Sequence, residues 1–165
     1  MARITPDGYT KIHFLTTIAD PDTPSPTEIS NGVELTSFLT PAGLDTPETS
    51  TDADTSSIAS PRDFSVPATI GGDVVGEFYR DDGTGSTTDA AWTALARLTS
   101  GYLVIARFGG TTAVTYAIKA GDTVEVWQVR VSERSNSRVT RGEALRFSSK
   151  FAVSADPIFD AVVTV

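Results

Sequence analysis

Histidine and cysteine, which most often carry catalysis or metal binding, are nearly missing from this chain. His13 is the single histidine, and none of the 165 residues is cysteine. A Ser-His-Asp triad would depend on His13, and no nucleophile-elbow motif accompanies it. One histidine without thiolates also makes a poor zinc or iron site. We therefore interpret His13 as a structural strand residue and predict no catalytic residue, no metal and no cofactor.

Two further patterns resemble ligand sites only superficially. Residues 81–87 (DDGTGST) are glycine-rich like a phosphate-binding loop, but they lack the lysine and the spacing of a Walker loop. Two acidic pairs, Asp20 with Asp22 and Asp52 with Asp54, have the residue type that binds calcium. The glycine and bidentate glutamate of an EF-hand are missing around Asp52. We interpret the first pattern as a strand-to-helix connection and the second as solvated loop carboxylates.

The segment 132–142 is basic in an otherwise acidic chain, and it joins two strong strand candidates. Its charged residues are Glu133, Arg134, Arg138 and Arg141. Two interpretations stay open. The segment is either a solvated hairpin loop or a basic arm that docks on an acidic surface of a neighbouring copy. The four aspartates named above are the candidate partners for such docking.

The net charge of −8 is concentrated in the first part of the chain. Residues 1–61 contain two basic against nine acidic residues, whereas residues 62–165 contain eleven basic against twelve acidic residues. An acidic chain is a poor candidate for binding the phosphate backbone, because Lys and Arg supply most of that affinity. Acidity instead suits a surface past which DNA moves without sticking. We find no apolar run of transmembrane length and no signal peptide, so we expect folding in a cytoplasm.

Strands separated by proline-rich loops dominate the pattern. Eight of the nine prolines lie in the first 67 residues, and we predict long polar loops at about 19–30 and 41–61. Apolar and polar residues alternate in five segments, whereas 102–108 is nearly all apolar and is expected to be a central strand. We therefore predict six strands, at 11–15, 33–39, 74–80, 102–108, 123–131 and 145–153. The apolar phase changes at Trp127 and Gln128, which indicates either a bulge or a strand covered on both faces.

One segment has helical periodicity. Ala91, Leu95 and Leu98 fall at helical spacing after Asp89, and Gly101 is a plausible C-cap. We predict a single α-helix at about 88–100. The fold class is therefore mainly β with one helix, as two packed β-sheets in a sandwich or barrel-like arrangement, forming one domain over residues 1–165.

Four segments, in this order, carry a family resemblance. They are the start MARITP at 1–6, the Pro/Thr-rich segment 19–29 followed by VELTSFLTPAGL at 33–44, the helix at 89–99, and RFSSKFAV at 146–153. Together they resemble the major tail proteins, or tail tube proteins, of long-tailed siphovirus bacteriophages, particularly those of actinobacteria. The similarity covers nearly the whole chain and rests on the order of the segments and on total length.

The resemblance implies a structural virion protein without catalytic residues. In that family six copies form a ring, rings stack into the tail tube, and DNA passes through the lumen during ejection. It implies that this chain oligomerises with itself, assembles in the host cytoplasm and resides in the virion tail. A tape-measure protein, a tail terminator and DNA passing through an acidic lumen are the implied partners. The loops at 19–30, 41–61 and 132–142, with their arginines and aspartates, become candidate inter-subunit or inter-ring contacts.

Two alternatives belong to other classes. The strand pattern also suits a monomeric β-sandwich binding module, such as an adhesin or a carbohydrate-binding domain. Such a module would more often present clustered aromatics, whereas Trp92 is placed on the helix and Trp127 in a strand. Another ring-forming tail component, such as a tail terminator, is the second alternative. An enzyme is the weakest interpretation.

Overall fold

The computed structural model describes residues 10–56, 65–81, 89–107 and 117–165. This part of the chain contains ten strands, two short α-helices and one 3-10 turn, Thr36–Phe38. The strands are β1 (Lys11–Leu15), β2 (Val33–Glu34), β3 (Leu39–Asp45), β4 (Thr49–Asp54), β5 (Ser65–Gly71), β6 (Asp73–Tyr79), β7 (Ser100–Ala106), β8 (Thr123–Asn136), β9 (Arg146–Val153) and β10 (Ile158–Val162). The helices are α1 (Pro26–Asn31) and α2 (Ala90–Ala94).

Eight strands form one antiparallel sheet in the order β2-β1-β7-β8-β9-β6-β3, with β10 paired to β8. The sheet must curl, because its two outermost strands are consecutive in the chain. Glu34 ends β2 and Leu39 begins β3, so their Cα atoms lie at most about 19 Å apart. Six strand spacings in a flat sheet would separate them by about 29 Å. The predicted mainly β, sandwich or barrel-like fold is confirmed.

The curled sheet separates two apolar cores. Trp127, Val129 and Val131 of β8 face the core inside the curl, whereas Val124 and Val126 belong to the core on the outer face. Pairing between β7 and β8 is continuous through this region. The phase change at residues 127 and 128 therefore reflects a strand covered on both faces. A register shift does occur in β8, between Val131 and Glu133, on its β9 side.

Helix α1 begins inside the segment predicted to be a loop at 19–30. Ser25 caps it, since its hydroxyl accepts a hydrogen bond from the Glu28 N–H, and the Glu28 carboxylate accepts one from the Ser25 N–H in return. The Glu28 carboxylate also accepts a hydrogen bond from the Ala19 N–H. The bond from the Ser25 N–H, and to a lesser extent that from Ala19, lowers the pKa of Glu28. Pro26 occupies the first turn, where its missing N–H costs nothing. Ile29 is buried in the outer core.

Helix α2 is shorter than the predicted helix at 88–100. Ala91 and Leu95 are buried as the periodicity predicts, but the chain turns at Leu98, which has φ of 69° and is exposed. Gly101 is not a helix cap, because it lies within β7. A Cβ atom there would come within 2.3 Å of the Leu15 carbonyl oxygen, so glycine allows β1 and β7 to approach closely.

Two predicted loops contain strands. The segment 41–61 includes most of β3 and all of β4, and β8 continues to Asn136, so the β8–β9 connection is 137–145 rather than 132–142. Pro41 is tolerated because β3 is an edge strand, where an N–H is dispensable. Pairing with β5 holds β4 in place, and pairing with β9 holds the end of β8. These polar segments have no alternating apolar pattern from which a strand could be predicted.

Candidate assembly surfaces

A two-stranded arm projects from the sheet. Strands β4 and β5 pair only with each other, and the chain enters them from β3 and leaves them into β6. None of the described side chains of the arm is buried, and Asp52 and Asp54 are exposed. Hydrogen bonds from the hydroxyl and then the backbone N–H of Ser56 lower the pKa of Asp54. The arm therefore has no core of its own and presents a hydrated acidic surface.

A polar network fixes the base of the arm against the sheet. The guanidinium of Arg107, just after β7, forms an ion pair with Glu125 of β8 and donates to the Thr46 hydroxyl at 2.8 Å. Glu125 also accepts the indole N–H of Trp127 at 3.2 Å. Thr46 lies between β3 and β4. These bonds tie the start of the arm to the two central strands.

Asp20 and Asp22 lie in a turn rather than in a ligand cluster. The Asp20 carboxylate accepts hydrogen bonds from the Thr23 hydroxyl at 2.8 Å and from the Asp22 N–H at 3.1 Å, as an Asx turn does. The turn sits beside the C-terminus, because the Thr164 N–H donates to the Pro24 carbonyl. Across the described ranges, no group of three or more His, Asp or Glu side chains is placed to hold a metal ion.

The β8–β9 connection, residues 137–145, is a basic exposed loop. Arg138 and Arg141 are exposed, and neither forms a hydrogen bond or ion pair with any residue that the structure describes. The base of the loop is ordered by the Ser137 N–H, which donates to the Arg146 carbonyl at 2.9 Å, and by the Arg146–Glu143 ion pair at 2.7 Å. Two cations are thus held on this loop without a counter-charge among the described residues.

Arg134 is separated from these two arginines. Its guanidinium lies 3.7 Å from the centre of the Trp92 ring, and that of Arg80 lies 3.9 Å from the same centre. Two groups this close to one ring must occupy opposite faces. Arg134 also donates to the Trp92 carbonyl at 2.5 Å, and Arg80 forms an ion pair with Asp89. Arg134 therefore fastens α2 to the sheet, which sequence reasoning missed.

Acidic and basic features lie at opposite ends of β8. Its 14 residues span about 43 Å. Near its first residue lie Asp122, Asp160 and the turn that carries Asp20, since the Val163 N–H donates to the Asp122 carbonyl beside Thr164. The loop 137–145 follows its last residue. The two ends of the molecule along this strand therefore carry opposite charge.

One face of β6 and β9 is polar and uncovered. None of its side chains is buried, and opposite charges pair across the strands, with Lys150 and Asp73 2.9 Å apart and Arg146 and Glu77 3.4 Å apart. The hydrogen bond to Asp73 raises the pKa of Lys150, and the negative charge of Glu77 raises that of Arg146. This face is consequently hydrated and charge-balanced.

His13 and the tryptophans do not form a site. Burial lowers the pKa of His13, and its Nδ1 has no hydrogen-bond partner within the described residues. Trp92 lies between two arginines, and Trp127 is 2% exposed. Helices long and apolar enough to cross a membrane are not found in the described ranges. The glycine-rich stretch of 82–87 and the segment 1–6 lie outside the described residues.

A curled mainly β domain with a two-stranded arm and exposed charged surfaces towards both ends of β8 fits the class of subunits that build larger assemblies. The phage tail tube protein family model matches residues 1–165, so the chain belongs to the phage tail tube protein family. It is accordingly a structural protein of the virion tail. No curated protein matches the chain by sequence.

Solved structures of assembled particles share this fold. A chain of the six-fold symmetrised anti-feeding prophage baseplate has a TM-score of 0.54 and 10% identity, covering 96% of this chain and 97% of that one. A chain of the native gene transfer agent virion has a TM-score of 0.54 and 11% identity, covering 97% and 100%. The tail of the empty gene transfer agent particle, reconstructed with C6 symmetry, matches equally.

Proposed function

We propose that this chain polymerises head to tail into stacked six-membered rings that form a phage tail tube, through which DNA is ejected. The observation that carries the proposal is a subunit with two differently charged surfaces. The start of the exposed acidic arm is tied to Glu125, near the first residue of β8, and the exposed basic loop follows the last residue of β8. Different surfaces that complement each other produce repeating rather than closed two-fold contacts. The six-fold symmetry of the similar assemblies supports the ring size.

Within this tube, the uncovered face of β6 and β9 lines the lumen. Its paired charges and hydroxyls offer DNA no net positive surface on which to bind. An acidic lumen then requires further carboxylates from elsewhere in the subunit. A tape-measure protein and a tail terminator are the additional partners, with assembly in the host cytoplasm. The actinobacteriophage origin stays a prediction.

The arginines of the loop provide the test. We expect Arg138→Glu with Arg141→Glu to abolish assembly while the subunit stays folded, because both side chains are exposed and make no contact within the described residues. Negative-stain electron microscopy and light scattering across concentration measure assembly, and circular dichroism measures folding. Arg97→Glu, a charge reversal at another exposed arginine, is the control and should assemble normally. Tubes that form unchanged from the double variant contradict the role of the loop.

No observation among the described residues favours the binding-module alternative, since neither tryptophan forms an exposed platform. A wild-type protein that stays monomeric at every concentration and binds glycans would instead support the alternative of a monomeric adhesin.

A further inference from the structure

A small cleft opens at the base of the arm. Its volume is about 230 Å³, and it lies between the arm, β8 and the segment that joins β9 to β10. Its apolar lining includes Ile70, Trp127, Val153 and Pro157, and two carboxylates, Glu48 and Asp156, also line it. Ile70 remains 71% exposed, so the cleft leaves apolar surface in water.

The size of the cleft favours a protein side chain as its occupant. Pockets for small-molecule ligands usually measure about 300–1,000 Å³ and bury most of the ligand. A cleft of about 230 Å³ instead suits one or two aliphatic side chains. The two carboxylates favour an occupant with positive charge next to its apolar group.

The basic loop 137–145 has this combination. Val139 is 75% exposed and lies between Arg138 and Arg141. Apart from the C-terminal Val165, Val139 and Ile70 are the two most exposed large hydrophobic side chains in the described part of the chain. One is at the tip of the basic loop, and the other is at the cleft with the acidic lining.

The loop of the same copy does not reach the cleft. Trp127, in the wall of the cleft, is nine residues from Asn136, or about 30 Å along β8. The loop, residues 137–145, follows Asn136 at that far end of the strand. Only the loop of another copy is therefore available.

We propose that Val139 of one copy inserts into the arm-base cleft of the next copy, with Arg138 and Arg141 facing Glu48 and Asp156. This inference rests on the proposed function, because it assigns the contact between successive subunits. Since the loop and the cleft are different surfaces, each copy offers one of each and the contact repeats along the assembly.

The cysteine-free chain allows a direct test by disulfide cross-linking. Val139→Cys and Ile70→Cys are prepared separately, mixed, assembled and treated with a mild oxidant. We expect a disulfide-linked dimer containing one copy of each variant, because a disulfide requires Cβ atoms within about 4.5 Å. The control mixes Val139→Cys with Leu98→Cys, an exposed position that does not line the cleft, and should give no dimer. Tubes without the Val139–Ile70 dimer overturn the proposed contact while leaving the tube itself intact.

A second measurement tests the same contact without cross-linking. Val139→Asp should raise the critical concentration for tube assembly about tenfold or more, whereas Leu98→Asp should leave it within about twofold. If Val139→Asp assembles like the wild type, the cleft contact is wrong. If the wild type itself forms no tubes, the proposed function fails, and this contact fails with it.

Discussion

At the residue scale, the most informative side chain is Arg134. The sequence groups it with Arg138 and Arg141 by charge and proximity, whereas the structure places it on Trp92, 42 residues earlier in the chain. Local patterns do not encode contacts between distant segments, so this role was not predictable. Charge alone identified the basic segment. The fold shows that Arg138 and Arg141 are exposed for contact with another molecule, whereas Arg134 packs on Trp92.

This difference predicts unequal stability effects. Arg134→Ala removes a cation–π contact and a charged hydrogen bond, and we expect it to lower the free energy of unfolding by about 2 kcal/mol. Arg138→Ala removes the same charge from an exposed site and should be nearly neutral. Urea unfolding of both variants measures this. Equal losses in the two variants would show that Arg134 does not fasten α2.

His13 predicts a pH dependence of stability. Burial lowers its pKa below the ordinary 6.5, the negative charge of Glu34 opposes this, and the positive charge of Lys11 adds to it. Below pH 6.5 the unfolded chain therefore takes up a proton that the folded chain resists. The free energy of unfolding is therefore not reduced by His13 above the unfolded pKa, and it decreases as pH falls through 6.5 towards the folded pKa.

The matched variant is His13→Gln, which cannot titrate. Between about pH 8 and about pH 5, wild-type stability should fall more than that of the variant. Urea unfolding at several pH values measures the difference, and the carboxylates common to both proteins cancel. Parallel pH profiles would mean that His13 is protonated as readily in the folded state as in the unfolded chain.

At the scale of elements, the predictions follow the strength of the local pattern. The strands around β1, β6 and β9 were predicted because apolar residues alternate there, and β7 because its sequence is nearly all apolar; all four contribute to the core. Strand β4 reads Thr-Ser-Thr-Asp-Ala-Asp, which has no apolar face, so only its pairing with β5 reveals it. For α1 the signal was present, since Ser25 and Glu28 form a capping box, but the surrounding prolines obscured it.

The base of the arm depends on one glycine. A Cβ atom on Gly72 would lie 2.0 Å from the Pro47 carbonyl oxygen, whereas one on Gly71 would meet nothing within 4 Å. We expect Gly72→Ala to displace the arm and impair tube assembly, because the Pro47 backbone must move. Gly71→Ala should assemble normally. Critical concentrations from light scattering compare the two, and equal values would show that the orientation of the arm does not matter.

At the scale of the whole molecule, the sequence supplied the family and the fold class, because these depend on the order of segments along the chain. It did not show that acidic and basic surfaces lie at opposite ends of the subunit. That arrangement arises because β8 continues to Asn136 and carries the basic loop about 43 Å from the acidic residues beside its first residue. The 14-residue strand is therefore the axis that separates the two complementary surfaces.

Cryo-electron microscopy of tubes assembled from the purified chain tests this central claim most directly. We expect a hollow tube of stacked six-fold rings, with the arm of each subunit and the loop 137–145 of a neighbouring copy meeting at the same contact. A solid or two-fold symmetric assembly, or a tube in which both the arm and the loop face solvent, would contradict it.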